Sequence, residues 1–261
     1  MTPVPEVESA GAGVPVLAVH PFPFDHEVYR PQLEAAARGE LACELLAVKL
    51  TGFGGSTWPE DHPPVLRVED IADGLVELTV ARDLSKPVLV GAGLAGYAVL
   101  EALGAEPELF RAGIVMGCKP AGDAPANRPV RAAAARTALE RGGAAAADLL
   151  AVASLAPGQR DVHEPAARAM VLRADPRAIA AAVWGIHLRP NPRAAIDRIR
   201  VPLVVAVGAE DPACATADAQ ALAQLVPDGR FHVIDRCGHG VPLERPDAVS
   251  ALVADLLAEL A

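Results

Sequence analysis

One stretch near the middle of the chain limits the folds that it can adopt. It runs from Pro87 to Tyr97 and reads PVLVGAGLAGY. The apolar run at 88–90 is typical of a buried strand in a parallel sheet. The segment 94–103 then carries apolar residues at helical spacing, and glycines separate the two segments. The stretch therefore predicts a core strand, a tight turn and a helix, as in a mostly parallel α/β fold.

Two known motifs compete for this turn. Gly91, Gly93 and Gly96 match the G-x-G-x-x-G fingerprint of dinucleotide-binding folds. That fingerprint also needs an acidic residue at the end of the following strand, and the predicted strand at 112–116 has none there. The turn also lies where a G-x-S-x-G nucleophile elbow would lie, with Gly93 in place of the serine. We favour the elbow.

Two later residues complete a pattern with this turn. Asp211 follows the predicted strand at 201–207, and His239 lies in the loop before the last predicted helix, 246–260. A strand-to-helix turn, then an acid, then a base is the chain order of an α/β-hydrolase triad. The order and the positions both fit, which favours an Asp211–His239 pair at the ends of neighbouring strands.

Further segments resemble the α/β-hydrolase superfamily, and in particular small lid-bearing hydrolases such as the 3-oxoadipate enol-lactonases. HPFPFD at 20–25 resembles their oxyanion loop, GFGGS at 52–56 resembles their G-x-G-x-S turn, and the run from Gly238 to Pro246 resembles their base motif. The resemblance covers roughly 14–261. It implies a mostly parallel, doubly wound sheet.

The predicted boundaries follow from changes in composition. Residues 1–13 are rich in Pro, Glu, Ser and Gly, which predicts a flexible leader. Strand patterns are absent from about 122 to 195, where alanine and arginine dominate, so a helical lid is predicted there. The hydrolase core then consists of 14–121 and 196–261.

The chain departs from the family pattern at the residue that matters most for catalysis. Gly93 stands at the serine position, Ala95 replaces a usual glycine, and Lys49 stands where an acidic residue is usual. Glycine has no side chain that can attack a substrate, and loss of a triad nucleophile costs on the order of a million-fold in rate. By resemblance, the backbone N–H groups of Phe22 and Leu94 form an anion-binding hole.

Three hypotheses follow from this departure. In the first, His239 oriented by Asp211 is a general base for a hydrolase, lyase or cyclase reaction on a small apolar molecule. In the second, the chain is an inactive descendant that binds a small ligand or a protein partner. In the third, the serine was replaced deliberately; this is disfavoured because alanine is the usual choice and Ala95 also departs.

Several other residues are candidates for the site, each with a structural alternative. His20 is either near the substrate or bonded to backbone. Asp25 either contacts the substrate or caps a helix. Trp184 either lines the pocket under the lid or packs between helices. Cys118 and Cys237 flank the site in sequence, and we expect both to be buried small residues rather than nucleophiles.

Composition excludes several classes of partner. The formal net charge is −10, which argues against a nucleic-acid partner because that requires a basic patch. The seven histidines show no metal-ligand spacing, so no metal or other cofactor is expected. No targeting or membrane-spanning segment is recognisable, and the four isolated cysteines suit a reducing compartment, so we expect a cytoplasmic protein with a small-molecule ligand. The oligomeric state is left open.

Overall fold

Seven strands pair into one sheet in the computed structural model, which describes residues 4–261. Their bounds are β1 Glu6–Gly11, β2 Val14–Val19, β3 Cys43–Lys49, β4 Val88–Ala92, β5 Ala112–Met116, β6 Leu203–Gly208 and β7 Gly229–Ile234. The strand order is β1-β3-β2-β4-β5-β6-β7. Every neighbouring pair is parallel except β1 and β3, which are antiparallel. The predicted doubly wound sheet is confirmed.

Ten α-helices occur in the described part of the chain. They are α1 Arg30–Ala37, α2 Val68–Ala81, α3 Leu94–Ala105, α4 Arg128–Leu150, α5 Arg160–Leu172, α6 Pro176–Leu188, α7 Arg193–Ile196, α8 Thr216–Ala223, α9 Val241–Glu244 and α10 Pro246–Glu259. Helices α4 to α7 fill the chain between β5 and β6, where the helical insertion is predicted. Among residues 4–261, no helix combines the length and the apolar character needed to cross a bilayer.

Helix α4 is two helical pieces rather than one. Gly142 interrupts it with φ 77° and ψ −176°, which is not a helical conformation. Gly142 and Gly143 interrupt the alanine-rich sequence at this point, and glycine is a poor helix former. The second piece ends at Leu150, and the short 3₁₀ turn Val152–Ser154 follows.

The prediction of a flexible leader over 1–13 is wrong for residues 6–11, which are part of the sheet. Residues 6–11 form strand β1, which pairs along its whole length with β3 at the edge of the sheet. Glu6 and Glu8 lie on this edge strand, and charged side chains are what natural sheets place on exposed edges. The polar composition thus indicates an edge strand. Residues 1–3 lie outside the described part of the chain.

The turn between β4 and α3 explains all three glycines of the apparent dinucleotide fingerprint. A Cβ on Gly91 would lie 2.7 Å from the carbonyl oxygen of Ala95, and one on Gly96 would overlap with Cys118 Sγ. Gly93 has φ 54°, a left-handed conformation that favours glycine. Close packing thus accounts for Gly91 and Gly96, and the backbone conformation accounts for Gly93, so the three glycines need no nucleotide to explain them.

The sheet order determines where a site can form. From β2 the chain first adds β3 on one side and then crosses to add β4 on the other, so the order reverses between β2 and β4. In open α/β sheets, ligands bind at the carboxyl ends of the strands beside this reversal. Loops 20–25 and 93–94 follow β2 and β4 at this point, while Gly117, Asp211 and His239 follow β5, β6 and β7 at the same edge.

Replacing Gly91 by alanine should test how closely α3 must approach β4. We expect Gly91→Ala to lower the free energy of unfolding by about 1–3 kcal/mol, because its Cβ would press on backbone that cannot move independently. Urea unfolding measures this difference. Gly158→Ala is the matched control, because a Cβ there meets no atom within 4 Å. Equal stability of the two variants would contradict the packing requirement.

Candidate active site

His239 and Asp211 are paired at the carboxyl edge of the sheet. His239 Nδ1 lies 2.8 Å from Asp211 Oδ2. The other oxygen of this buried carboxylate, Oδ1, accepts hydrogen bonds from the backbone N–H groups of Ala213 (2.7 Å) and Cys214 (3.0 Å). Asp211 is thereby fixed, and it fixes the imidazole plane and the tautomer in which Nδ1 carries hydrogen.

The environment shifts the pKa values of both partners towards the charged forms. Burial alone would raise the pKa of Asp211, but the charge of a protonated His239 and the hydrogen bonds to the carboxylate outweigh it, so the pKa is lowered. Burial alone would lower the pKa of His239, but the charge of Asp211 and the hydrogen bond to it outweigh burial, so that pKa is raised. The imidazole is thus a stronger base than an isolated histidine.

The second ring nitrogen of His239 faces Gly93. A Cβ built on Gly93 would lie only 2.8 Å from Nε2, closer than ordinary contacts allow. Behind the ring, a Cβ on Gly117 would lie 2.8 Å from Nδ1 and 3.0 Å from Asp211 Oδ2. Within residues 4–261, Nε2 makes no hydrogen bond. The two glycines therefore leave room for the imidazole, with one nitrogen held and the other free towards the cavity.

Two backbone N–H groups beside the same cavity lack an acceptor in the described part of the chain. Leu94 is the first residue of α3, where amides have no acceptor within the helix, and Phe22 lies in the loop after β2. Neither N–H donates to a residue of the described chain. Both residues line the cavity that His239 also lines. Such donors stabilise negative charge on a bound oxygen.

Glu244 holds the loop that carries His239. It is buried, and its carboxylate accepts hydrogen bonds from the N–H groups of Gly238 (3.0 Å), Gly240 (3.1 Å) and Ala156 (2.8 Å). The carbonyl oxygen of Ser154 accepts from the N–H of His239 at 2.8 Å and from that of Gly240 at 3.1 Å. The base loop is therefore attached to the helical insertion by backbone hydrogen bonds on both sides of the imidazole.

The cavity above Gly93 has a volume of about 500 Å³, within the usual range for small-molecule sites. The insertion contributes part of its wall, including Asp123, Arg131 and Arg189. Burial alone would raise the pKa of Asp123, but hydrogen bonds from Arg131, Asn127 and His187 lower it to about 2. Charged side chains thus occupy a wall for which the sequence predicted an apolar ligand.

Three predicted site residues do not line this cavity. His20 is fully buried, and burial lowers its pKa to about 3, so its neutral ring accepts a hydrogen bond from the Leu50 N–H at 3.2 Å. Asp25 is buried, accepts from the Glu27 N–H and pairs with Arg173 at 2.7 Å, which supports the capping alternative. The half-buried Trp184 packs with His187 at 6.0 Å between ring centroids. Packing and hydrogen bonding account for all three positions.

The cysteines and one acidic cluster lie outside the cavity wall. Cys118 and Cys237 are buried, and burial raises the pKa of each thiol, which disfavours the nucleophilic thiolate. In the described residues, ligand atoms of Glu8, His26 and Glu27 lie within 4.8 Å of one another. Arg30 already ion-pairs with both carboxylates, so a positive charge is present where a cation would bind.

Sequence reasoning missed the charged wall of the cavity. Lys119 carries a usable signal, because it follows the carboxyl end of β5, where the ends of parallel strands meet. Arg131 and Arg189 carry none, because they are two of many arginines in the insertion, and only its packing brings them to the site.

The geometry is that of a hydrolase-like site at the carboxyl edge of an α/β sheet, and sequence comparison identifies the family. A family model described as "Alpha/beta hydrolase family" matches residues 16–252. The chain belongs to the alpha/beta hydrolase family.

Similar proteins include several hydrolases. A thermophilic esterase from Thermogutta terrifontis, with malate bound, is 26% identical, with a TM-score of 0.86 over 97% of this chain and 93% of that one. An enol-lactonase from Burkholderia xenovorans is 20% identical, with a TM-score of 0.85 over 97% and 96%, a similarity that shows the fold. Monoacylglycerol lipase ABHD6 of Rattus norvegicus is 34% identical over 65 residues, which are 25% of this chain and 19% of the lipase.

The charge of Asp211 should set the basicity of His239. We expect Asp211→Asn to lower the pKa of His239, because an amide no longer stabilises the imidazolium while its oxygen can still accept the backbone hydrogen bonds. NMR titration of a ¹³C-labelled imidazole measures the pKa directly. Asp218→Asn, on the outward side of α8, is the control and should leave the value unchanged. An unchanged pKa in Asp211→Asn would contradict the coupling.

Removing the Glu244 carboxylate should destabilise the base loop. We expect Glu244→Ala to lower the free energy of unfolding by about 2–5 kcal/mol, because it leaves the buried N–H groups of Gly238 and Ala156 without an acceptor, while the Gly240 N–H keeps only its bond to the Ser154 carbonyl. Urea unfolding provides the measurement, and Glu210→Ala, an exposed carboxylate near the same loop, provides the control. A loss no larger than that of the control would show that the three bonds contribute little.

Proposed function

We propose that this chain is an enzyme of the alpha/beta hydrolase family that works without a serine nucleophile. In this proposal His239, oriented by Asp211, is a general base acting on a water molecule or a substrate bound above Gly93. The N–H groups of Phe22 and Leu94 bind the oxygen that becomes negative. The reaction class is hydrolysis of a small ester or lactone, or proton abstraction next to a carbonyl group.

One observation carries the proposal: Nε2 of His239 faces the cavity and has no hydrogen-bond partner among residues 4–261, while Nδ1 is held at 2.8 Å by a buried carboxylate. A histidine that served only to stabilise the fold would be expected to have both ring nitrogens bonded or one exposed to bulk solvent. The raised pKa of His239 adds basicity. An oriented base beside two unpaired N–H donors is a chemical arrangement that remains useful without a hydroxyl.

The proton movements are simple for hydrolysis. Neutral His239 takes a proton from water at Nε2 as the water oxygen bonds to the carbonyl carbon, and the carbonyl oxygen becomes an oxyanion bound by the two N–H groups. The Asp211 carboxylate stabilises the resulting imidazolium. When the oxyanion collapses, the bond to the leaving oxygen breaks and Nε2 returns the proton to that oxygen. No covalent enzyme intermediate forms.

Relatives support the substrate class. The 26% identical protein is an esterase, and the enol-lactonase shares the fold. A serine-to-glycine mutant of an N-acyl homoserine lactonase, 23% identical with a TM-score of 0.76, is described as complexed with N-hexanoyl homoserine lactone. That complex supports the idea that a glycine-bearing site of this fold holds an acyl substrate. It equally favours a second candidate function, in which this chain binds such a ligand without converting it.

An activity test separates the two candidate functions. Wild-type protein is assayed against short-chain p-nitrophenyl esters and γ-lactones, together with a fluorophosphonate probe. We expect slow turnover without covalent labelling, and a loss of about 10²–10⁴-fold in His239→Ala. The rate should rise with pH as His239 loses its proton, with a midpoint above the usual histidine value because Asp211 raises its pKa.

His232→Ala is the control variant, since this histidine is exposed on β7. Unchanged rates in His239→Ala would exclude the general-base role, and fluorophosphonate labelling of the wild type would reveal a nucleophile that the proposal denies. Binding of the lactones without turnover would favour the ligand-binding function.

A further inference from the structure

We propose that the ligand of this cavity carries a carboxylate, which Lys119 and Arg189 bind. This inference adds a substrate class to the proposed function. It rests on that proposal only in placing the ligand in the cavity that His239 lines. It replaces the small apolar molecule that the sequence predicted with an apolar body bearing one negative end. Each of the two cations contributes a separate argument.

Among residues 4–261, Arg189 is a buried cation that has no anionic partner. The residue is only 8% exposed. Its guanidinium donates to the carbonyl oxygens of Ile186 (2.7 Å) and Ala121 (3.1 Å) and to the Tyr97 hydroxyl (3.3 Å), and it lies 4.2 Å from the centre of the Tyr97 ring. Its Nε has no hydrogen-bond partner in the described chain, and because that atom is itself buried, a ligand in the cavity would act on the charge of the guanidinium rather than on this atom. Buried charges are normally paired, so this charge calls for an anion from outside.

Lys119 brings a second positive charge to the same part of the wall. Its backbone N–H donates to the Tyr97 hydroxyl at 3.2 Å, the same hydroxyl that Arg189 contacts. No carboxylate of residues 4–261 forms an ion pair with its ammonium group. Lys119 is one of the residues that line the cavity, and it is half-buried. Tyr97 therefore brings the backbone of one cationic residue and the guanidinium of the other together.

The acidic residue in this wall does not offset these two charges. Asp123 is paired with Arg131 at 3.2 Å and hydrogen-bonded to His187 at 3.1 Å. The lining thus keeps the charges of Lys119 and Arg189 uncompensated, in a chain whose formal net charge is −10. A concave site with one sign of charge concentrates ligands of the opposite sign.

A carboxylate fits better than a larger oxyanion. Two of the guanidinium nitrogens are already bonded to Ile186, Ala121 and Tyr97, so few donors remain for a ligand. Two carboxylate oxygens need one ammonium group and a nearby guanidinium charge, whereas a phosphate presents more oxygens that need donors. The volume of about 500 Å³ leaves space for a short acyl body between this end and His239.

Binding of a matched pair of ligands tests the inference without any turnover. The probes are monomethyl glutarate, which is anionic, and dimethyl glutarate, which is neutral and of nearly the same size. Calorimetry is done with the His239→Ala variant at slightly alkaline pH, so that neither hydrolysis nor a protonated histidine contributes. We expect the anion to bind at least tenfold more tightly, and Lys119→Met to remove about tenfold of that preference.

Controls keep the outcomes separate. Lys86→Met, an exposed lysine outside the cavity, should leave the preference unchanged. Arg189→Lys, which keeps the charge, should retain more of the preference than Arg189→Met, with thermal unfolding used to confirm that both variants fold. Equal binding of the two probes, or an unaltered preference in Lys119→Met, would overturn the carboxylate site. A clear preference in a protein that shows no turnover would contradict only the general-base proposal.

Discussion

Helix α3 approaches strand β4 so closely that a Cβ atom has no room at Gly91 in the strand or at Gly96 in the helix. Carbonyl and sulfur atoms occupy the space next to Gly91 and Gly96, and the left-handed conformation of Gly93 turns the chain from strand to helix within one residue. This turn brings the first amide of α3 to the carboxyl edge of the sheet, at the reversal of strand order. The remaining parts of the site, contributed by four other strand ends, are arranged around it.

The electrostatic surroundings then set the protonation state of each titratable group at this edge of the sheet. Asp211 stays ionised despite its burial because backbone amides and the imidazole stabilise its charge. His239 is made more basic, whereas His20, which follows β2 at the same edge of the sheet, is kept neutral by burial without an acidic partner. The pKa values of these two histidines thus shift in opposite directions, because His239 has a carboxylate within hydrogen-bond distance whereas His20 has a backbone amide.

The sequence predicts the parts of this arrangement that depend on chain order and local pattern. Hydrophobic spacing predicts the strand, turn and helix at 88–103, and the strand that each residue follows predicts the positions of Asp211 and His239. The sequence does not predict site residues that reach the cavity only through tertiary packing. Arg189 reaches Tyr97 and the wall beside Lys119 only because the insertion folds back over the sheet, and nothing in its alanine- and arginine-rich sequence distinguishes Arg189 from its neighbours. Strand β1 was missed for a related reason, since edge strands carry polar residues.

The attachment of the base loop to the segment 154–156 has a mechanical consequence. Because the Ser154 carbonyl and the Ala156 amide are bonded to the loop of His239 and to Glu244, lifting this end of the insertion would pull the imidazole away from Asp211. The position of the imidazole therefore depends on the packing of the insertion as well as on the sheet. A substitution that displaces the segment 154–156 would disturb the base without touching His239 or Asp211.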